Sequence, residues 1–331
     1  MRRIALLIAF ASIIVACGHI VPAVAPLAGV TLTLVAEGLE EPAWLTAPPG
    51  DARRLFVLER FGRIRVIEDD VLLDAPALDL TANVNGQDEK GLTGLAFHPD
   101  FFRNRKLYVL HNDAVGNSRL VEYKMNAKNR HLIDPDSARL ILELEQLDFF
   151  HQGGYIVFGP EENLWVTFGD GGPAADPHGH GQNPHTLHGS VLRIDVNLAT
   201  PYAIPAGNPF ANGVDGAPQV WAYGFRNPWR IALDPVNNVI YVADVGQWEW
   251  EEINIDLLDE PGKNHGWAIL EGETCFQYDD CEEDALSAGL TNAALIYGHA
   301  DSCAVIGGHV YRGEAIPELS GTYFYGDHCI G

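Results

Sequence analysis

A histidine and an aspartate that reach the same rim of a sheet make an acid-base couple, and the stretch HQGGYIVFGPEENLWVTFGD, from His151 to Asp170, carries both. An imidazole oriented by a carboxylate titrates near neutrality and can take a proton from an alcohol held against it. His151 is therefore the candidate general base and Asp170 the residue that orients it. Gly153 and Gly154 allow close backbone approach just after the base, and the GDGG after Phe168 does the same around Asp170. A lone histidine is more often a packing or surface residue; the flanking glycines are what favour chemistry.

Two other sets could complete a site. Arg226-Asn227, in YGFRNPWRIALDP, pairs a guanidinium that clamps carboxylates through two parallel bonds with an amide that can bind a carbonyl. Such a pair suits a flat, acidic, oxygen-rich cofactor, although Asn before Pro also commonly starts a plain turn. The loop ADVGQWEWEEIN, Ala243 to Asn254, can point backbone carbonyls inward; those of Gly246 and Gln247 are candidate Ca²⁺ ligands, with Glu251 and Glu252 as braces. The plainer alternative is a solvated acidic loop. His178 and His180, followed by GQNPHTLHG, invite a transition-metal reading, but their spacing is not that of a zinc helix and a His-rich polar loop explains them more simply. P-loop, Rossmann and serine-elbow signatures are absent from the sequence.

Elements that could hold these groups recur along the chain. An apolar strand, a proline-bearing turn and a second strand of the Leu-Tyr-Val kind appear as WLTAPPGDARRLFVLERFGRIRVI, LAFHPDFFRNRKLYVL, IVFGPEENLWVTFGD and IALDPVNNVIYVADVG. Strand pairs repeating at roughly 50 to 75 residues predict the blades of an all-β propeller. Amphipathic crossovers for a doubly wound sheet are not found, only a weakly periodic segment from Glu282 to Ala294. A β-sandwich is the structural alternative. An edge-type strand is expected at Thr31–Val35, and a fifth unit, IGGHVYRGEAIPELSGTYFYGD, begins at Ile306. The expectation is one propeller domain over 31–331 that lacks its last blade because the chain ends early.

Composition narrows the partners. A net charge of -24, with only 21 lysines and arginines, leaves no basic stripe for phosphates and excludes nucleic acid. Residues 1–16 have the layout of an export signal: two arginines, an apolar run and small residues, too short for a permanent span. Ile14-Val15-Ala16-Cys17 resembles a bacterial lipobox, which predicts a lipid anchor on Cys17, a tether over 17–30 and membrane association only through that lipid. Four cysteines remain: Cys275, Cys281, Cys303 and Cys329. Export favours disulfides, but three connectivities are open.

The motifs GLTGLAFHPDF, HQGG to FGDGG, GSVLRIDV, GFRNP, DVGQWEWEEIN, NHGWAILEG and GGHVYRG occur in the order seen in the glucose/sorbosone dehydrogenase family, which the chain resembles from about Leu34 to Gly331. The resemblance implies a six-bladed propeller that holds pyrroloquinoline quinone (PQQ) and Ca²⁺ and oxidises an aldose hemiacetal to a lactone, passing electrons to a periplasmic acceptor. It implies His151 as base, Asp170 as its orienting carboxylate, Arg226 and Asn227 as cofactor contacts, and Gly246 and Gln247 as calcium ligands. Glu89 falls where the glucose enzymes have a sugar-contacting glutamine, and Gln247 where they have proline. The family's cofactor-binding lysine would fall near Cys329, and its further arginines beyond Gly331. Disulfides Cys303–Cys329 and Cys275–Cys281 fit a subgroup of the family. The rival expectation is a non-catalytic binding propeller like the family's animal members, and a third is a Ca²⁺-dependent lactone hydrolase.

Overall fold

The four repeated segments carry β-branched and aromatic residues on both sides of tight turns, the composition that favours antiparallel pairs buried on both faces. The computed structural model describes residues 33–276, 281, 288–300 and 302–330. The export signal, Cys17, the tether and residues 282–287 of the weakly periodic segment lie outside them. Each repeat forms the first strands of one antiparallel sheet. The first sheet contains β1 (Pro42–Thr46), β2 (Arg54–Glu59), β3 (Arg63–Glu68), β4 (Val71–Leu72) and β5 (Leu78–Asp79). The second is β6 (Leu92–Phe97), β7 (Lys106–Asn112), β8 (Ser118–Met125) and β9 (Ile133–Leu144), in that order.

The third sheet is β10 (Ile156–Phe158), β11 (Leu164–Phe168), β12 (Ser190–Ile194) and β13 (Val220–Tyr223). The fourth starts with β14 (Pro228–Asp234), β15 (Val239–Asp244) and β16 (Trp250–Leu257). A small hairpin, β17 (Leu270–Glu271) and β18 (Thr274–Cys275), intervenes before its outer strand, β19 (Leu295–Gly298). The fifth unit forms a two-stranded sheet, β20 (Val305–Val310) with β21 (Tyr323–Asp327). The described residues thus make an all-β propeller-like array of four full sheets and one strand pair, almost without helix. The expected strand at Thr31–Val35 is not formed in its described part. Residues 33–39 run unpaired with Leu34 exposed, because alternation alone makes no strand without an edge to pair with.

Each seam between sheets holds its own apolar cluster. Phe56, Ile64, Leu95 and Val109 fill the first seam, and Tyr108, Leu120, Ile156 and Val166 the second. Between the third and fourth sheets Trp165 meets Trp221 edge to face at 4.9 Å, packed with Val191, Ile231 and Val242. A fully buried side chain of this size contributes about 1.5–3 kcal/mol relative to leaving it in water, so each seam is a substantial part of the fold. The innermost strands meet around the axis. Trp44 stacks edge-on against Tyr155 at 4.8 Å, gives its Nε1–H to the Leu95 carbonyl at 3.3 Å, and lies 5.3 Å from the His309 ring. Arg230 lies over Trp44 and donates to the Ala43 carbonyl.

Of the three possible connectivities the structure contains Cys275–Cys281 and Cys303–Cys329. The second spans 26 positions and closes the β20–β21 pair. A closed loop of that length removes about 3 kcal/mol of unfolded-state entropy in the chain-entropy picture. Replacing both Cys303 and Cys329 by Ser is expected to lower the unfolding free energy by about 2–4 kcal/mol in denaturant titrations; an unchanged midpoint and slope would remove this bridge from the list of stabilising features.

Candidate active site

His151 lies before β10 and Asp170 just after β11, its antiparallel partner, so both fall at one rim of the third sheet. The two backbones cross closely. A Cβ on Gly169 would overlap the His151 carbonyl oxygen, which instead accepts the Gly171 N–H at 3.1 Å. His151 itself sits at φ 55°, a left-handed conformation unusual for a residue with a side chain. Its N–H is held by Glu89 Oε2 at 2.8 Å. The Asp170 carboxylate is fully buried, and three donors satisfy it: His151 Nδ1 at 2.7 Å and the Gly172 N–H at 2.8 Å on Oδ1, and Trp267 Nε1 at 2.7 Å on Oδ2.

The other imidazole nitrogen, Nε2, lies 2.6 Å from Arg226 Nη2. A guanidinium can only donate, so Nε2 must present a lone pair and the ring proton must sit on Nδ1, donated to Asp170. The neighbours therefore assign the tautomer a general base needs. Arg226 also donates from Nη1 to the carbonyls of Val245 and Gly246, at 2.8 and 2.7 Å, and from Nε to Gln247 Oε1 at 3.4 Å. Burial pulls its pKa down, opposed by Asp170, Asp244, Glu89 and Glu271, which favour the charged form.

The structure brings the sequence-predicted residues together at one rim, with specific tasks. Asn227 is buried; its Oδ1 accepts the Gly153 N–H at 2.9 Å and its Nδ2 reaches Glu89 Oε2 at 3.2 Å. Glu89 and Asn227 together hold the turn that carries His151. Gly246 turns its carbonyl to Arg226, and a Cβ there would overlap the Trp250 carbonyl. The neighbouring carbonyl on the same guanidinium is that of Val245, whereas Gln247 offers its side-chain oxygen, which also accepts the Ala175 N–H at 2.8 Å. Gln247 Nε2 is buried with no hydrogen-bond partner among the described residues.

Two residues escaped the sequence reading although both lie in the quoted NHGWAILEG segment. Trp267 donates to Asp170 and lies under the Arg226 guanidinium, 5.7 Å from ring to charge. Glu271 Oε1 accepts the N–H groups of Gln247, Trp248, Glu249 and Trp250 at 2.8, 2.7, 3.0 and 3.3 Å, fixing the loop more completely than Glu251 or Glu252. Glu251 does reach the loop, through the Gly246 N–H at 3.4 Å, but its shorter bonds go to His299 and Val305. Glu252 accepts the Gly272 N–H at 2.6 Å.

His178, His180 and His188 form a stack, with ring centroids 5.5 and 4.4 Å apart. His180 Nδ1 donates to the Asp170 carbonyl, and burial, reinforced by His180, pushes His188 down to about 4. Face-to-face rings cannot converge on one ion. Among the described residues the only close ligand-type trio is Cys303, Asp327 and Cys329, whose sulfurs are joined to each other. The Val245 and Gly246 carbonyls, by contrast, converge on a positive group, and the orphaned Gln247 amide is a donor beside them. That donor set fits a cation together with an oxygen-rich anionic ligand.

Comparisons with known proteins place the chain in a family. The sequence model of the family described as Glucose / Sorbosone dehydrogenase matches residues 39–327. Human Hedgehog-interacting protein is 32% identical over 316 residues, covering 88% of this chain and 42% of that protein. The chain thus spans less than half the length of this relative. The aldose sugar dehydrogenase of Escherichia coli is 25% identical over 313 residues, covering 90% of this chain and 78% of its own length. The PQQ-bound aldose sugar dehydrogenase of Streptomyces coelicolor superposes with a TM-score of 0.69 at 23% identity, over 91% of this chain and 84% of that one, a likeness of fold.

Two outcomes follow from the carboxylates beneath the loop. Glu271→Ala strands four amides and is expected to lower stability by about 1–3 kcal/mol, with faster hydrogen exchange confined to residues 247–250. Burial, reinforced by Glu271 and Glu251 and opposed by bonds from Gly272 and Asn254, pushes Glu252 from 4.5 up to about 7. A carboxyl raised on folding stabilises the native state below its unfolded pKa and loses that contribution as pH rises through the folded value. Unfolding free energy should therefore fall between about pH 4.5 and 7, and Glu252→Gln should flatten that decline in unfolding measured across the range.

Proposed function

Because the chain belongs to the glucose/sorbosone dehydrogenase family, we propose that it oxidises an aldose hemiacetal to its lactone, with PQQ and Ca²⁺ at the rim that carries His151. The observation that supports this most directly is the assigned lone pair on His151 Nε2, backed by a buried aspartate. The chemistry the cofactor supplies is hydride acceptance, with Ca²⁺ as a Lewis acid beside it. Arg226 and the Gln247 amide would hold the cofactor's oxygens, and the inward carbonyls of the 245–247 loop would hold the cation.

His151 Nε2 takes the anomeric hydroxyl proton, and the imidazolium formed is stabilised by Asp170, which keeps its own charge. Trp267 and the Gly172 N–H keep that carboxylate from turning. Arg226 has to move off Nε2 for the hydroxyl to approach, while staying among Asp170, Asp244, Glu89 and Glu271. Glu89, which holds the His151 N–H through one oxygen, stands where a sugar hydroxyl can meet its other one. Six blades, export with a Cys17 lipid anchor and a periplasmic electron acceptor belong to the same reading.

One observation favours a non-catalytic binding module: Glu89, Asn227 and the lone pair are all engaged within the protein. Dye-linked oxidation of an aldose panel with added PQQ and Ca²⁺ separates the two. The enzyme reading expects turnover that falls about 100-fold or more in His151→Ala. Calcium-dependent quinone binding in calorimetry without turnover of any aldose would sink the catalytic step, and absence of quinone binding would leave the binding module.

A further inference from the structure

We infer that Arg226 is a tethered cation standing in the position a divalent ion would take, so that an ion on the Val245 and Gly246 carbonyls and the guanidinium cap on His151 exclude one another. The inference rests on the proposed cation role of the loop, and it adds a linkage between that ion and the base.

The geometry is specific. One nitrogen, Nη1, lies 2.8 Å from one carbonyl oxygen and 2.7 Å from the other, so both oxygens face a single positive point. Nη2 of the same rigid fork lies on His151 Nε2, and Nε on Gln247 Oε1. Calcium sits about 2.3–2.6 Å from carbonyl ligands, a position that this nitrogen already fills. Moving the planar fork off the carbonyls moves its other arm off the imidazole, because the guanidinium does not bend.

The oxygens cannot simply rotate away when the arginine leaves. Glu271 pins the four amides that follow Gly246, and Gly246 itself packs so closely on the Trp250 carbonyl that no side chain fits. The loop is therefore a preformed acceptor whose occupant decides whether the base is covered. Linkage runs both ways: whatever draws Arg226 off the carbonyls raises cation affinity, and a bound cation uncovers Nε2.

The test uses the full chain without quinone or sugar. Calorimetric titration with CaCl₂ is expected to show Arg226→Ala binding at least 10-fold more tightly than the unaltered protein. Arg226→Lys, which keeps the charge and loses the fork, should also bind more tightly. Equal affinity of Arg226→Lys and the unaltered protein would mean that repulsion rather than occupancy is at work. Unchanged or weaker binding in Arg226→Ala, or no binding to any of the three, would also overturn the proposal. As a second readout, CaCl₂ should shift the His151 Nε2 resonance in ¹⁵N spectra of the unaltered protein, and Arg226→Ala should lie near the shifted position before any ion is added; a signal indifferent to both changes counts against the cap. Since no substrate is involved, failure here is distinct from failure of the dehydrogenase assay.

Discussion

A carboxylate with no exposure to water must be compensated where it lies, and the buried Asp170 organises the rim around that need. Its three donors come from three places: the turn before β10, the backbone just after β11, and Trp267 between β16 and β17. Its own N–H goes to the Arg226 carbonyl at 2.8 Å, which ties the third sheet to the start of the fourth. Satisfying this one charge therefore sets the imidazole tautomer, the seating of Trp267 and, through the imidazole, the partner available to Arg226. The apolar seam of Trp165, Trp221 and their neighbours keeps the two sheets at the distance these bonds require.

Much of this was legible before any coordinates. The repeated strand-turn-strand pattern marked the inner strands of all five sheets, and the spacing of His151 and Asp170 about one hairpin implied a shared rim. Roles that depend on distant partners were not legible. Trp267 meets Asp170 across 97 positions, and nothing in the local sequence says that an indole points at a carboxylate. Glu89 and Asn227 read as ligand-facing polar residues, yet a left-handed histidine turn needs its N–H groups bound, and these two side chains bind them. Thr31–Val35 shows the reverse error, since alternation was present without a neighbouring edge.

The strongly negative chain concentrates several of its carboxylates around one guanidinium. Asp170, Asp244, Glu89 and Glu271 all favour the charged form of Arg226 although burial opposes it. Underneath, Asp244, Glu251 and Glu252 are raised by burial, so the site is rich in groups that share protons. An environment of this kind welcomes a positive ion at the rim and tolerates an anionic ligand only beside it. These charges are what this chain itself brings to the rim.

His151 hangs from the third sheet, while the Arg226 guanidinium and the Val245 and Gly246 carbonyls hang from the fourth. A contact that spans a seam acts as a strain gauge between the two sheets. Heat, denaturant or a load on an outer strand that splays the two sheets by a fraction of an ångström lengthens the His151 contacts while every hairpin is still paired. In such an architecture the rim loosens before the fold does, so loss of these contacts is the first sign of strain and unfolding a late one.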